Sequence, residues 1–131
     1  MARNVLIVED DEELQELYAA MLVDLDCQIT RAYDGGQGLD RLEESNPDVI
    51  IVDMLLDEVH GDEFFLAVKA KPAYADVPVV IASVLSPERC QHLLEMDPRT
   101  IYLRKPFRKA QLEDVVQRCL AGGGKRVARR A

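Results

Sequence analysis

At 131 residues, the chain is long enough for one domain with a hydrophobic core and too short for two ordinary domains. Hydrophobic residues make up 48% of it and charged residues 31%, as in globular proteins, and no apolar run approaches the ~18 residues that cross a membrane. The apolar run near the amino terminus is also too short for a signal peptide, so we expect a cytoplasmic protein that does not contact membranes.

The charge is unevenly distributed along the chain. The net charge is −8, and residues 122–131 carry four basic and no acidic residues, which leaves −12 on residues 1–121. An acidic body repels nucleic acid, so we expect no direct DNA binding. We interpret residues 1–121 as one domain and residues 122–131 as a flexible, basic, glycine-rich tail, although such a tail could also touch an anionic surface.

Three cysteines, Cys27, Cys90 and Cys119, lie far apart in the sequence. An odd number without a Cys-x-x-Cys pair favours reduced, packed thiols over a disulfide or a zinc site.

Two strand–helix units and a third strand are predicted in the first half of the chain. Residues 5–8 form an apolar run, and the apolar residues within 14–25 recur at helical spacing. Residues 27–33 alternate as in a more exposed strand, and a second helix is predicted to end near Ser45. Residues 49–52 are apolar and mostly β-branched, which predicts a strand buried on both faces.

The second half continues the alternation. A third helix is predicted around Phe64, followed by an apolar strand over residues 77–82. Ser86, which precedes a proline, is a candidate cap for the fourth helix. A fifth strand is predicted over residues 100–103, and apolar residues at helical spacing within 112–120 indicate a fifth helix that ends at the following glycines.

Five alternating strand–helix units predict an α/β fold with parallel strands and helices on both faces. The second and fifth strands are the least apolar and are therefore predicted to be the edges of the sheet. This assignment fits the flavodoxin-like doubly wound sheet with strand order 2-1-3-4-5 and five helices.

Asp53 directly follows the apolar residues 49–52. Open α/β sheets bind their ligands beyond the carboxyl ends of the strands, which favours a functional role for this carboxylate. A cap on the next helix is the alternative, and Asp53 alone does not decide between them.

Polar side chains also follow the other strands. Glu9 and Asp10 come after the first strand, Ser83 after the fourth and Lys105 after the fifth. Because the carboxyl ends of parallel strands meet at one edge of a sheet, these side chains are predicted to lie near Asp53. Converging carboxylates favour a divalent cation with oxygen ligands, Mg²⁺ above all, and a hydroxyl and an ammonium are suitable partners for a phosphoryl group.

The segments Leu-Ile-Val-Glu-Asp-Asp, Ile-Val-Asp, Ala-Ser and Leu-Arg-Lys-Pro-Phe, in this order and spacing, resemble the receiver domain of response regulators in two-component signalling. The resemblance covers residues 3 to about 121. It implies that Asp53 accepts a phosphoryl group from a histidine kinase or a histidine phosphotransfer protein. It also implies a Mg²⁺ ion held by Asp10, by Glu9 through water, by Asp53 and by the backbone carbonyl of Leu55.

The resemblance implies roles for further residues. Asp53 is the nucleophile, and Lys105 pairs first with it and then with the phosphoryl group. Ser83 moves to donate a hydrogen bond to a phosphoryl oxygen, and Tyr102 turns inward after it, unless this ring only packs against the last helix. The bond between Lys105 and Pro106 is expected to be cis, as the family usually has it.

The expected output is a surface of helix four, strand five and helix five that changes on phosphorylation and binds a downstream protein or a second copy. The protein is then a phosphoacceptor that phosphorylates itself from its donor, rather than a turnover enzyme. Leu55, Val84 and Leu85 are predicted to obstruct attacking water, which implies slow autodephosphorylation. The family usually has a small residue where this chain has Val84.

Other interpretations fit less well. An aspartate-nucleophile phosphatase needs a second aspartate where Leu55 stands, and a flavodoxin would bind phosphate where residues 9–13 are all acidic. A degenerate receiver that serves only as an interaction module, and a receiver fragment of a larger regulator, remain as alternatives.

Overall fold

The computed structural model describes residues 3–54 and 60–121. The described residues form five strands and five α-helices in alternation. In chain order they are β1 Arg3–Val8, α1 Glu12–Met21, β2 Cys27–Ala32, α2 Gly35–Ser45, β3 Val49–Asp53, α3 Gly61–Lys69, β4 Val79–Ser83, α4 Gln91–Met96, β5 Ile101–Arg104 and α5 Lys109–Ala121.

The strands form one parallel sheet in the order β2-β1-β3-β4-β5. This confirms the predicted topology and the two predicted edges. All residues of β3 and β4 are buried, whereas those of β5 are partly exposed. Continuous apolar strands therefore lie at the centre of the sheet because both of their faces are covered.

Alternate residues of each central strand point into two separate cores. In β1, Leu6 and Val8 pack with α2, α3 and α4, and Val5 and Ile7 pack with α1 and α5. The sheet is thus the middle of three layers, and the carboxyl ends of its strands form the uncovered edge where the predicted site residues lie. No helix in the described part of the chain is long and apolar enough to cross a membrane.

Two predictions around the fourth strand were wrong. The fourth strand begins at Val79 rather than at Val77, because the Val77 amide donates to the Tyr74 carbonyl in a turn and Pro78 has no amide hydrogen for the ladder. Ser86 precedes a short 3₁₀ turn, Pro87–Cys90, rather than an α-helix, and its side chain makes no capping hydrogen bond.

Candidate functional site

The predicted site residues do meet at one edge of the sheet. Glu9 follows β1, Asp53 ends β3, Ser83 ends β4 and Lys105 follows β5. Since β1, β3, β4 and β5 are successive neighbours, their carboxyl ends bring these four side chains into one crevice.

Three carboxylates converge in this crevice. Oxygen atoms of Glu9, Asp10 and Asp53 lie within 4.8 Å of one another. Glu9 and Asp53 are buried, at 2% and 8% exposure, and Asp10 is partly exposed. Oxygen ligands at octahedral corners about 2.1 Å from Mg²⁺ lie roughly 3–4 Å apart, so this all-oxygen set fits a hard divalent cation.

Lys105 lies between two of these carboxylates. Its Nζ donates to Glu9 Oε1 at 2.6 Å and to Asp53 Oδ2 at 3.2 Å. Burial opposes the charge of the ammonium, but the hydrogen bond to Glu9 and the attraction of both carboxylates outweigh it and raise the pKa of Lys105. The site therefore keeps a fixed positive charge beside Asp53.

Burial also disfavours the charged form of Glu9, and here it outweighs the favourable interactions with Lys105. Burial raises the pKa of Glu9, and the hydrogen bond from Lys105 only partly offsets this. Glu9 Oε2 also accepts a hydrogen bond from the Asp11 amide at 3.2 Å. The Asp11 side chain in turn caps α1 through the amides of Glu13 and Leu14, so the start of α1 is fixed to the acidic group.

Gly61 allows α3 to begin directly against Asp53. A Cβ at this position would lie 2.4 Å from the Asp53 carbonyl oxygen and 2.6 Å from the Met54 Cα. No other residue type fits without moving the backbone of the strand end. The start of α3 therefore helps to set the position of Asp53.

A chain of hydrogen bonds runs from the site to the edge strand. Ser83 Oγ accepts from the Leu85 amide at 3.0 Å, and the Tyr102 hydroxyl donates to the Leu85 carbonyl. Ser83 is fully buried and Tyr102 is half-buried against the core of α2, α3 and α4. The backbone of Leu85 thus links the hydroxyl at the end of β4 to the aromatic ring on β5.

The peptide bond between Lys105 and Pro106 is cis, as predicted from the resemblance. The following Phe107 packs against Tyr18, with ring centroids 5.0 Å apart. Tyr18 also has the Lys105 Nζ 5.8 Å from its ring centroid, so it forms one wall beside the ammonium.

Sequence reasoning missed two features of the site. Helical spacing predicted Tyr18 to be a core residue, and nothing in that spacing indicates its contact with Lys105. The apolar spacing of α1 did not identify Gln15 as a site residue, although a polar residue on the apolar face of a helix indicates a buried hydrogen-bonding role. The predicted carbonyl ligand of Leu55 and the predicted tail, residues 122–131, lie outside the described residues.

The chain is similar to proteins of one family along most of its length. The family model for the response regulator receiver domain matches residues 5–117. Hybrid signal transduction histidine kinase D of Dictyostelium discoideum is 26% identical over 108 residues, which are 82% of this chain and 7% of that protein. The chain spans 7%, 12% and 49% of the lengths of three such curated relatives.

Solved structures share the fold. Chemotaxis protein CheY4 of Vibrio cholerae has a TM-score of 0.83 at 29% identity, with 92% of this chain and 100% of that chain covered. The receiver domain of sensor histidine kinase PA1611 from Pseudomonas aeruginosa has a TM-score of 0.82 at 26% identity, with 92% and 99% covered. That structure has a magnesium ion coordinated in its active-site cleft.

Proposed function

The chain belongs to the response regulator receiver domain family of two-component signalling, and from this membership we propose that it is a phosphoacceptor that acts as a switch. Asp53 takes a phosphoryl group from a phosphohistidine on a histidine kinase or a phosphotransfer protein, with Mg²⁺ as the cofactor. The observation that carries the proposal is the position of Asp53, which lies within 4.8 Å of two further carboxylates and 3.2 Å from an ammonium.

The reaction uses the side chains of the crevice in distinct roles. An Asp53 carboxylate oxygen attacks phosphorus in line as the bond to the histidine nitrogen breaks, and a carboxylate nucleophile needs no general base. Glu9, Asp10 and Asp53 would hold the Mg²⁺ ion, which supplies charge neutralisation for the phosphoryl oxygens. Lys105 pairs with the transferred group, and the Ser83 hydroxyl leaves the Leu85 amide to donate to a phosphoryl oxygen.

The proposal is tested by incubating the protein with Mg²⁺ and a phosphodonor and recording intact mass. We expect the wild type to gain one phosphoryl mass and Asp53→Asn to gain none. Asp48→Asn is a matched control, because this aspartate lies before β3, and we expect it to be phosphorylated like the wild type. A wild type that gains no mass would favour the degenerate receiver that serves only as an interaction module.

We propose further that the protein is not a turnover enzyme and that it loses its phosphoryl group slowly. Val84 directly follows Ser83 and is 53% exposed, and its branched side chain is proposed to narrow the path of water to Asp53. Leu85, which is half-buried against the core, is proposed to flank the same path. A phosphorylated lifetime of minutes or longer is expected, and a half-life of seconds would contradict it.

The variant Val84→Ala isolates the contribution of this side chain. We expect it to shorten the lifetime of the phosphorylated protein several-fold, because water gains access to the phosphorus. Val23→Ala, at a residue that is 72% exposed after α1, removes the same atoms elsewhere and should leave the lifetime unchanged. Equal lifetimes of the wild type and Val84→Ala would refute the role of Val84.

The switched surface is proposed to consist of α4, β5 and α5, for a downstream protein or a second copy of the chain. The bond from the Tyr102 hydroxyl to the Leu85 carbonyl supports this, since it joins β5 to the loop that follows Ser83. Phosphorylation would bias this linked element between two arrangements.

A cytoplasmic location is proposed as well, and the three unpaired cysteines are consistent with a reducing compartment.

A second candidate is the same chemistry within a longer regulator. The curated relatives favour it, because this chain spans only 7% to 49% of the lengths of three of them. An immunoblot of native cells with an antibody against the domain would decide between the two. A band near 14.7 kDa supports a stand-alone receiver, and a much larger band supports the longer regulator.

A further inference from the structure

Gln15 is a buried polar residue on α1 that the proposed chemistry does not use. Its exposure is 0%, and its Nε2 donates to the carbonyl oxygens of Ile7 at 3.0 Å, Glu9 at 3.1 Å and Ala32 at 2.8 Å. These carbonyls stand at the carboxyl ends of β1 and β2. A single amide therefore joins α1 to the ends of two strands.

The backbone of Glu9 is held on both sides by this arrangement. The Glu9 amide donates to the Ala32 carbonyl at 3.0 Å, and the Glu9 carbonyl accepts from Gln15. The Ala32 carbonyl thus receives two donors, one from the strand end and one from the helix. Both peptide groups that flank the Glu9 Cα are anchored at the point where the chain leaves β1 and presents Glu9 and Asp10.

The oxygen of the Gln15 side-chain amide makes no comparable contact, which indicates that the N–H donors of this amide are its structural contribution. Gln15 Oε1 has no hydrogen-bond partner among the described residues. A buried acceptor without a donor lowers stability, because it has lost its hydrogen bonds to water and gained none in the fold. Reversing the amide would turn this oxygen towards three carbonyl oxygens, so the contacts fix its orientation.

We propose that Gln15 is a positioning residue for the Glu9–Asp10 pair and that it thereby sets the affinity of the site for a divalent cation. The inference rests on the proposed Mg²⁺ binding. Groups that orient metal ligands from outside the coordination sphere typically change affinity by about 10- to 100-fold when they are removed. Because Gln15 holds the backbone and not a ligand atom, we expect the lower end of that range.

The test compares Gln15→Met with the wild type, because methionine fills a similar buried volume and has no donor. Mg²⁺ dissociation constants are measured by NMR titration, and exchange of the Glu9 and Asp11 amide hydrogens is measured without metal. We expect about tenfold weaker Mg²⁺ binding and faster exchange at Glu9. Val116→Ala, at a fully buried position on α5, controls for lost packing and should alter neither measurement.

The outcomes separate this inference from the proposed function. Mg²⁺ binding by a folded Gln15→Met variant within about twofold of the wild type, with unchanged exchange at Glu9, would overturn the role of Gln15. Should the methionine variant not fold, Gln15→Asn carries the same test, since its amide is one methylene short of the three carbonyls. A wild type that does not bind Mg²⁺ would overturn both the inference and the cofactor assignment.

Discussion

Lys105 brings its ammonium into a crevice that already contains buried carboxylates. Two separate acids hold it, Glu9 at 2.6 Å and Asp53 at 3.2 Å, so the positive charge is held beside Asp53. The same Nζ lies 5.8 Å from the centroid of the Tyr18 ring. A preorganised charge of this kind stabilises developing negative charge without reorganisation during the reaction.

Replacing Lys105 with methionine is expected to slow phosphorylation of Asp53 by about 10²-fold, the usual loss when one such stabilising group is removed. The initial rate of phosphoryl mass gain measures this directly. Lys109→Met is the matched control, because Lys109 is an exposed lysine paired with Asp24 and Glu113. Equal rates for Lys105→Met and Lys109→Met would show that the ammonium of Lys105 has no part in the transfer.

At the scale of the elements, Leu85, in the loop that follows β4, adds hydrogen bonds between the end of β4 and the neighbouring strand β5. Leu85 receives the Tyr102 hydroxyl on its carbonyl and gives its amide hydrogen to Ser83. If Ser83 exchanges this amide for a phosphoryl oxygen, the Leu85 peptide loses one of its two anchors. Movement of Leu85 would then alter the hydrogen bond of the Tyr102 hydroxyl and so reach β5.

Tyr102→Phe is expected to retain phosphorylation of Asp53 and to lose most of the response of α4 and β5. Hydrogen–deuterium exchange of these elements, measured with and without a phosphodonor, records that response. Tyr74→Phe, in the connection between α3 and β4, removes a hydroxyl far from Leu85 and should respond like the wild type. An undiminished response in Tyr102→Phe would exclude the hydroxyl from the switch.

A buried ion cluster secures the opposite edge of the sheet. Lys69, at the end of α3, donates to the carbonyls of Ala75 at 3.1 Å and Val77 at 2.7 Å and pairs with Asp97 at 2.7 Å. Arg99 adds a bond to Asp97 at 2.9 Å. The cluster ties the ends of α3 and α4 together, so motion of α4 is constrained at its carboxyl end.

Asp97→Asn is expected to lower the free energy of unfolding by about 3 kcal/mol at pH 7, because a buried ammonium loses its carboxylate. Urea unfolding measures the difference. Asp114→Asn, which breaks only an exposed pair with Arg118, should cost less than about 0.5 kcal/mol. A loss as small as that of the control would mean that the cluster contributes nothing to stability.

The cluster also predicts an acid-side dependence of stability. Burial alone would raise the pKa of Asp97, but the bonds from Lys69 and Arg99 outweigh it and hold that pKa below its usual value. A carboxylate whose pKa is lowered by folding contributes its full stability at pH values above its unfolded-state pKa of about 4. This contribution is lost as the pH falls through the folded-state pKa. The difference between the wild type and Asp97→Asn should therefore shrink below about pH 4.

On the scale of the whole molecule, the described sheet and helices enclose two cores, one on each face of the sheet. α5 packs against α1 through Leu112, Val116 and Cys119. The sequence predicts a flexible tail over residues 122–131, so their removal is expected to change the free energy of unfolding by less than about 0.5 kcal/mol and to leave phosphorylation intact. A loss above about 1 kcal/mol in urea unfolding would show that these residues pack on the domain.

The order of the elements and the sheet edge that carries the candidate site could be predicted from the amino-acid pattern. Continuous apolar runs such as residues 49–52 predict central strands because only a strand covered on both faces has no polar side, and alternation with helices makes the strands parallel. The strand order and the grouping of Glu9, Asp53, Ser83 and Lys105 follow from that. The start of the fourth strand was predicted wrongly at Val77, because its hydrophobicity does not reveal that its amide is hydrogen-bonded to Tyr74 in a turn.

The contacts among the grouped side chains could not be predicted in this way, because they depend on how the elements pack in three dimensions. A shared sheet edge brings side chains within several ångströms, whereas a hydrogen bond depends on tenths of an ångström and on backbone direction. Thus the resemblance predicts that Lys105 pairs with Asp53, and in the structure its ammonium contacts Asp53 but lies closer to Glu9. The three carbonyls gathered by Gln15 come from two strands, and their convergence arises only when α1 packs on the sheet.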